Sequence, residues 1–304
     1  YVYNSIYGKQ NSGKALPNTI KTLIVDNSSA TPNNVVFISN FIGAGDIYIN
    51  DTININQGIL NSGNRNLHLY GNMVLDNDGE FEPLTADFSF ESATFSPASH
   101  TVTLGNQAGV EFYNVNVYDI DVVVSTLPSI NLNTAHFYVN NQLTFDDASH
   151  LVINVRENDR KVIINSGATI SRPQTTGYVD GILQKPLGSG AASYLFEIGN
   201  GNAYTPATIT FDGGAGGVAG QVDGVNLSPV PDEPLTGNRL DPNFRVPRYW
   251  SITAPTGSAF DLGSSVFDLN LEFPASELAP LDLAKTVVRR KSIPTETPEW
   301  SQRY

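Results

Sequence analysis

Thr94-Phe95-Ser96-Pro97-Ala98-Ser99-His100-Thr101-Val102 returns fifty positions later as Thr144-Phe145-Asp146-Asp147-Ala148-Ser149-His150-Leu151-Val152. The echo sits in a stretch, Asn34 to Ser171, built almost wholly of short apolar runs that alternate with period two. Ile47-Tyr48-Ile49, Ile53-Asn54-Ile55, Leu67-His68-Leu69 and Phe137-Tyr138-Val139 are typical, as is Leu23-Ile24-Val25 just before it, and their β-branched and aromatic content reads as strand. Turn chemistry separates them, as in Gly43-Ala44-Gly45-Asp46 and Asn61-Ser62-Gly63-Asn64. A recurring strand-and-turn unit that buries its apolar side only against its neighbour is the pattern of a solenoid or array. The expected fold is therefore all-β, a right-handed parallel β-helix with rungs of roughly 20–25 residues. An antiparallel sandwich array is the competitor, because periodicity does not give strand direction.

The texture changes near Ser171-Arg172-Pro173. Pro and Gly rise, Gly213 to Gly220 and Ser228 to Pro234 read as loops, and the strands lengthen: Tyr194 to Ile198, Ala207 to Phe211, Tyr249 to Thr253, Val266 to Phe273 and Lys285 to Arg289. Residues 1–175 are expected to form the β-helix-like repeat domain, and residues 176–304 an antiparallel, Ig-like β-sandwich, the whole being a segment of something longer. Helical spacing is limited to a short turn over Glu277 to Lys285, interrupted by Pro280.

The composition narrows the classes of partner. Of 304 residues, 40% are hydrophobic and 10% aromatic, enough to fill a core. Only 15% are charged, and 17 Lys and Arg stand against 30 Asp and Glu for a net charge of −13. Phosphate recognition needs clustered cations, and the densest basic run is Arg289-Arg290-Lys291, so neither nucleic acid nor an anionic membrane is an expected partner. No apolar stretch approaches the ~18–20 residues of a membrane-spanning helix. The absence of cysteine removes disulfides, thiol catalysis and cysteine-ligated metals.

Several blocks resemble a known group. Thr101-Val102-Thr103-Leu104-Gly105-Asn106-Gln107 followed by Phe112-Tyr113-Asn114-Val115-Asn116-Val117 is similar to a recurrent block of large cell-surface proteins from Bacteroidetes. Tyr178-Val179-Asp180-Gly181-Ile182-Leu183-Gln184-Lys185, Tyr194 to Gly199, Tyr204 to Ile209 and Arg248-Tyr249-Trp250-Ser251-Ile252-Thr253 resemble a further module of the same proteins. The resemblance implies export by the type IX secretion machinery and an adhesin-like place outside the cell or on its outer surface. It supplies no catalytic residues.

No catalytic, cofactor-binding or metal-ligating residue is assigned. His68, His100, His136 and His150 lack ligand spacing, although His100 and His150 occupy matching places in the echo. Asp76-Asn77-Asp78-Gly79-Glu80 alternates oxygen ligands like a calcium loop without completing one, and ordinary turn chemistry accounts for it; calcium is kept there as the alternative to no cofactor. A polysaccharide lyase or hydrolase would draw on Asp119 and Asp121 with Arg156, Arg160 and Lys161, but an acidic turn beside a solvated basic loop explains the same residues. Tyrosines are the expected handle for a glycan or protein partner: Tyr1, Tyr3, Tyr7, Tyr48, Tyr70, Tyr113, Tyr118 and Tyr138, of which Tyr113 and Tyr138 fall in strands and are read as inward or ladder-forming. Trp250 is read as a core anchor. The function that follows is a non-catalytic structural or adhesive segment of a secreted or cell-surface protein, with a carbohydrate-active β-helix enzyme as the alternative.

Overall fold

Fifteen consecutive residues, Ile47–Asn61, form one strand in the computed structural model of the chain. Sequence reasoning divides this stretch in two, because the alternation breaks after Ile49. The structure keeps it whole and bends it: Ile47 and Ile49 are buried, Asn50 and Asp51 are exposed, and burial resumes at Ile53 and Ile55. A second irregularity between Ile55 and Gln57 resets the alternation again before Leu60. Each bend lets the inward parity restart, so one continuous strand contributes to the core along three separate stretches.

The structure describes residues 1–5, 8–12, 16–29, 35–38, 45–92, 99–105, 109–118, 120–126, 135–146, 149–153, 160–172, 177–187, 191–200, 203–211, 219–226, 248–253 and 267–275. Asp119, Arg156, Tyr7, the short turn at 277–285, the strand at 285–289, the basic run at 289–291 and the loops at 213–218 and 228–234 lie outside them.

The described residues are all-β, with a 21-stranded, mostly parallel sheet and a second sheet of three strands. The parallel pairing falls into three series, each linking a strand to one some 20 to 30 residues on. In one, Ile47 pairs with Leu67, Leu67 with Phe88, Phe88 with Val115 and Val115 with Leu143. A second runs Leu23, Ile53, Met73, Val102, Val124 and Ile153. In the third, Phe137 pairs with Val162 and Val162 with Leu183. Strand direction, which periodicity leaves open, is thus parallel, and like side chains stack at the ~4.8 Å strand spacing. Phe81, Phe88, Phe90, Phe112 and Phe137 meet ring to ring inside, at centroid separations of 4.9–6.1 Å.

The register corrects the reading of the histidines. Val122 pairs with His100 on one side and with Leu151 on the other. The position that matches His100 is therefore Leu151 (151 − 100 = 51), one residue beyond the echo. A slip of one reverses inward and outward. His100 is fully buried, and His150 faces outward.

Parallel pairing continues across residue 175, since His150 pairs with Tyr178, Lys161 with Ile182 and Val179 with Ile198. Ile182–Pro186 then pairs antiparallel with Ala219–Asn226, which pairs with Arg248–Thr253. Ala192–Phe196, Ala207–Phe211 and Phe267–Leu271 form the three-stranded antiparallel sheet. Trp250 packs half-buried against the core, and its Nε1 donates to the Thr205 carbonyl at 3.2 Å.

Close stacking restricts the glycines. Gly109 has φ +89°, and an added Cβ would fall 2.1 Å from the His136 carbonyl oxygen of the next strand. Gly167 has φ +86° with open space around it. Gly109→Ala is expected to cost more than about 3 kcal/mol and Gly167→Ala only about 1 kcal/mol, read from urea unfolding midpoints. Equal costs would mean that the strand contact at Gly109 is absent.

Candidate binding face

Outward residues of the first parallel series lie side by side in columns, two or three to a strand. Asp46 and Tyr48 come first, then Asn66, His68 and Tyr70, then Asp87, Ser89 and Glu91, then Asn114, Asn116 and Tyr118. Strand geometry makes this arrangement, because the alternate positions Ile47, Ile49, Leu67, Leu69, Phe88 and Phe90 are committed to the core.

A ladder of hydrogen bonds crosses five strands along this face. Asn66 Nδ2 donates to Asp46 Oδ1 at 3.1 Å, and the Asp87 amide donates to Asn66 Oδ1 at 3.1 Å. Asn114 Nδ2 donates to Asp87 Oδ1 at 2.6 Å, and Asn141 Nδ2 to Asn114 Oδ1 at 2.7 Å. Asparagine serves here because it carries both donor and acceptor and so can bond to strands on both sides.

Beside the ladder, His68 is held between carboxylates from the strands that flank it. Its Nε2 lies 3.3 Å from Asp46 Oδ2, and its Nδ1 pairs with Glu91. Tyr48 stacks on the imidazole with centroids 4.7 Å apart and planes 19° from parallel. The hydrogen bond to Glu91 raises the His68 pKa above its ordinary 6.5, and Asp46 adds to this against the effect of burial. The same bond holds the Glu91 carboxyl below its ordinary value. Tyr70 is pushed up to about 12 by burial and by Glu91. Tyr118 is raised by burial and by Asp146, Glu91 and Asp87.

A second cluster lies in another series. Asp121 Oδ1 is 2.6 Å from His150 Nδ1 and also accepts from the His150 amide at 3.1 Å. The His150 ring lies 4.2 Å from that of Tyr178. Further on, Arg172 sits 3.5 Å over the ring of Tyr204, whose pKa burial pushes up to about 12.

The residues of the enzymatic alternative are not brought together among those described. Asp121 faces outward on His150, whereas Arg160 and Lys161 are 1% and 5% exposed. The expectation of a solvated basic loop is wrong for these two: they lead into the buried strand Lys161–Ile164. His100 donates from Nε2 to the Glu91 carbonyl at 2.8 Å, and burial lowers its pKa. No group of three or more His, Asp or Glu among the described residues is arranged to hold a metal ion. Asp76 to Glu80 lies inside the strand Asn72–Glu82 rather than in a loop, and Glu80 is raised by burial and by Glu82 and Glu111. Of the tyrosines, Tyr48, Tyr70 and Tyr118 share the ladder face, Tyr138 lies opposite Glu111 in another series, and Tyr1 is exposed. Sequence reasoning named these rings but missed Asp46 and Glu91, whose importance depends on register. No protein-family model, curated protein or solved structure matches this chain.

The His68 arrangement has a pH signature. A histidine whose folded pKa is raised contributes stability that is fully present below its unfolded value near 6.5 and is lost as pH rises through the folded value. Glu91, held low, contributes above its unfolded value near 4.5 and loses this as pH falls. His68→Gln is therefore expected to lower the melting temperature more at about pH 5.5 than at about pH 9. A pH-independent loss would remove the ion pair from the account. Asn114→Ala, which removes bonds to both Asp87 and Asn141, is expected to cost about 1–2 kcal/mol in urea unfolding.

Proposed function

We propose that this chain is a non-catalytic segment of a secreted or cell-surface bacterial protein, a parallel β-helix followed by an antiparallel sandwich, whose lateral face meets a glycan or protein partner. The observation that carries the reading is the ladder from Asp46 through Asn66, Asp87 and Asn114 to Asn141. Its polar groups bond strand to strand and do not converge on a reacting point, as a catalytic site requires. Three series of parallel pairs with steps of 20 to 30 residues support the solenoid, and antiparallel pairs after Ile182 support the sandwich. The likeness of residues 101–117 and 178–253 to Bacteroidetes surface proteins supports export by the type IX machinery and an extracellular or outer-surface location.

One observation favours a second reading, a carbohydrate-active enzyme. Asp121 orients His150 through a 2.6 Å contact, the arrangement in which a carboxylate positions a general base. Incubating the purified chain with an array of polysaccharides for hours, in calcium and in EDTA, separates the two. The expected result is retention of the chain with polysaccharides of unchanged length. Shortened products that disappear in His150→Ala would establish the enzyme and overturn the scaffold reading.

A further inference from the structure

One column of the ladder face has a regular chemical alternation. Tyr118 pairs in register with Glu91. Tyr70 follows Leu69 as Glu91 follows Phe90, and those two core residues are register partners. Asp146 follows Phe145 as Tyr118 follows Val117, again on partnered core residues, and the Asp146 amide donates to the Val117 carbonyl at 2.9 Å. Successive strands therefore present phenol, carboxylate, phenol, carboxylate: Tyr70, Glu91, Tyr118, Asp146. All four are half-buried. Glu91 and Asp146 stand two strands apart, or about 9.5 Å.

The surroundings decide the sign of a ligand. Between Asp46 and Asp146 the sequence contains twelve Asp and Glu against a single Lys or Arg, Arg65. Arg65 is buried, donating from Nε to the Gly45 carbonyl at 3.0 Å and from Nη2 to Asn18 Oδ1 at 3.0 Å. This part of the face thus has no exposed Lys or Arg to meet an anionic ligand, and its one imidazole, His68, is already held between Asp46 and Glu91. Asp146 is therefore the carboxylate of the column left for a ligand's charge, and Glu91 shares its own with His68. A carboxylate flanked by aromatic rings is instead matched to an ammonium, which gains from the charge and from the ring faces together. The two-strand period also favours one kind of polymer. An extended peptide repeats its face about every 6.7 Å, out of step with the carboxylates. A linear β-1,4-linked pyranose chain turns the same face outward at every second ring and can keep step with alternate strands.

We infer that the Tyr70–Glu91–Tyr118–Asp146 column, bordered by Tyr48 and His68, binds a linear glycan bearing free amines, with amine groups over the carboxylates and sugar rings along the tyrosines. The inference rests on the reading of this face as a glycan-presenting surface and adds to it the position and charge of the ligand.

The test is calorimetric titration of the whole chain at about pH 6 with a β-linked glucosamine hexamer, its N-acetylated counterpart and an oligogalacturonate. The expected order is tight for the free amine, weak for the acetylated chain and undetectable for the uronate. Asp146→Asn and Tyr118→Leu are each expected to weaken amine-glycan binding about three- to tenfold. Glu111→Gln, on another series, should leave it unchanged. Melting curves confirm that each variant is folded, and Asp146→Asn stands clear of the His68–Glu91 pair should Tyr118→Leu unfold the chain. Equal affinity for the amine and acetylated chains, unchanged binding in both column variants, or no binding at all overturns the inference. Mass spectrometry of the recovered hexamer separates this from the broader reading: shortened products overturn the non-catalytic assignment, whereas an intact hexamer without binding overturns the column alone.

Discussion

Everything in this molecule depends on parallel strands meeting in register with one apolar side chain above the next. Ile49, Leu69, Phe90, Val117 and Phe145 form such a file, as do Leu23, Ile53, Met73, Val102 and Val124, and all are essentially without solvent exposure. Because a strand turns alternate residues to opposite sides, fixing these files inside fixes the outward residues as well. The polar face is a by-product of core packing: Tyr48, His68 and Tyr70 are aligned because Ile47, Leu67 and Leu69 are. A slip of one residue anywhere would carry charge into the core, which makes register far more strongly specified than any single surface contact could make it.

Inter-strand polar bonds then refine what burial has set. Each amide in the Asp46 to Asn141 ladder is modest by itself, yet each reaches the neighbouring strand and discourages slippage. Arg65 extends the same logic to a loop by gripping the Gly45 carbonyl and Asn18 from the next strand pair. The pair of half-buried Lys185 with buried Glu197, together with the Lys185 bond to the Leu195 carbonyl at 2.8 Å, does so where parallel and antiparallel pairing meet. Removing Lys185 would leave the buried Glu197 carboxylate without its cation.

The strand content and its period were legible in the sequence because alternation is local. Parallel direction was reached through the echo, but its spacing of fifty misled by one position. The strand-to-strand steps vary, 22 residues from His100 to Val122 and 29 from Val122 to Leu151, so no fixed period exists for the eye to find. That variation is why Tyr70, Glu91, Tyr118 and Asp146 look unrelated along the chain and adjacent in space. Ile47–Asn61 hid its continuity for a related reason: a bend breaks alternation just as a loop does. Arg160 looked like a solvated cation because composition cannot report burial.

The confinement of Arg65 has a colloidal consequence. With its guanidinium held inside, the stretch from Asp46 to Asp146 presents carboxylates to solvent with no exposed Lys or Arg among them. Two copies approaching along this stretch repel one another over about a Debye length, some 8 Å at physiological salt. Parallel strands stacked this regularly would otherwise offer templates for pairing between molecules. The excess of negative charge, which His68 offsets only at Asp46 and Glu91, is thus a guard on the fold's own tendency to propagate, and one that concentrated salt would relax.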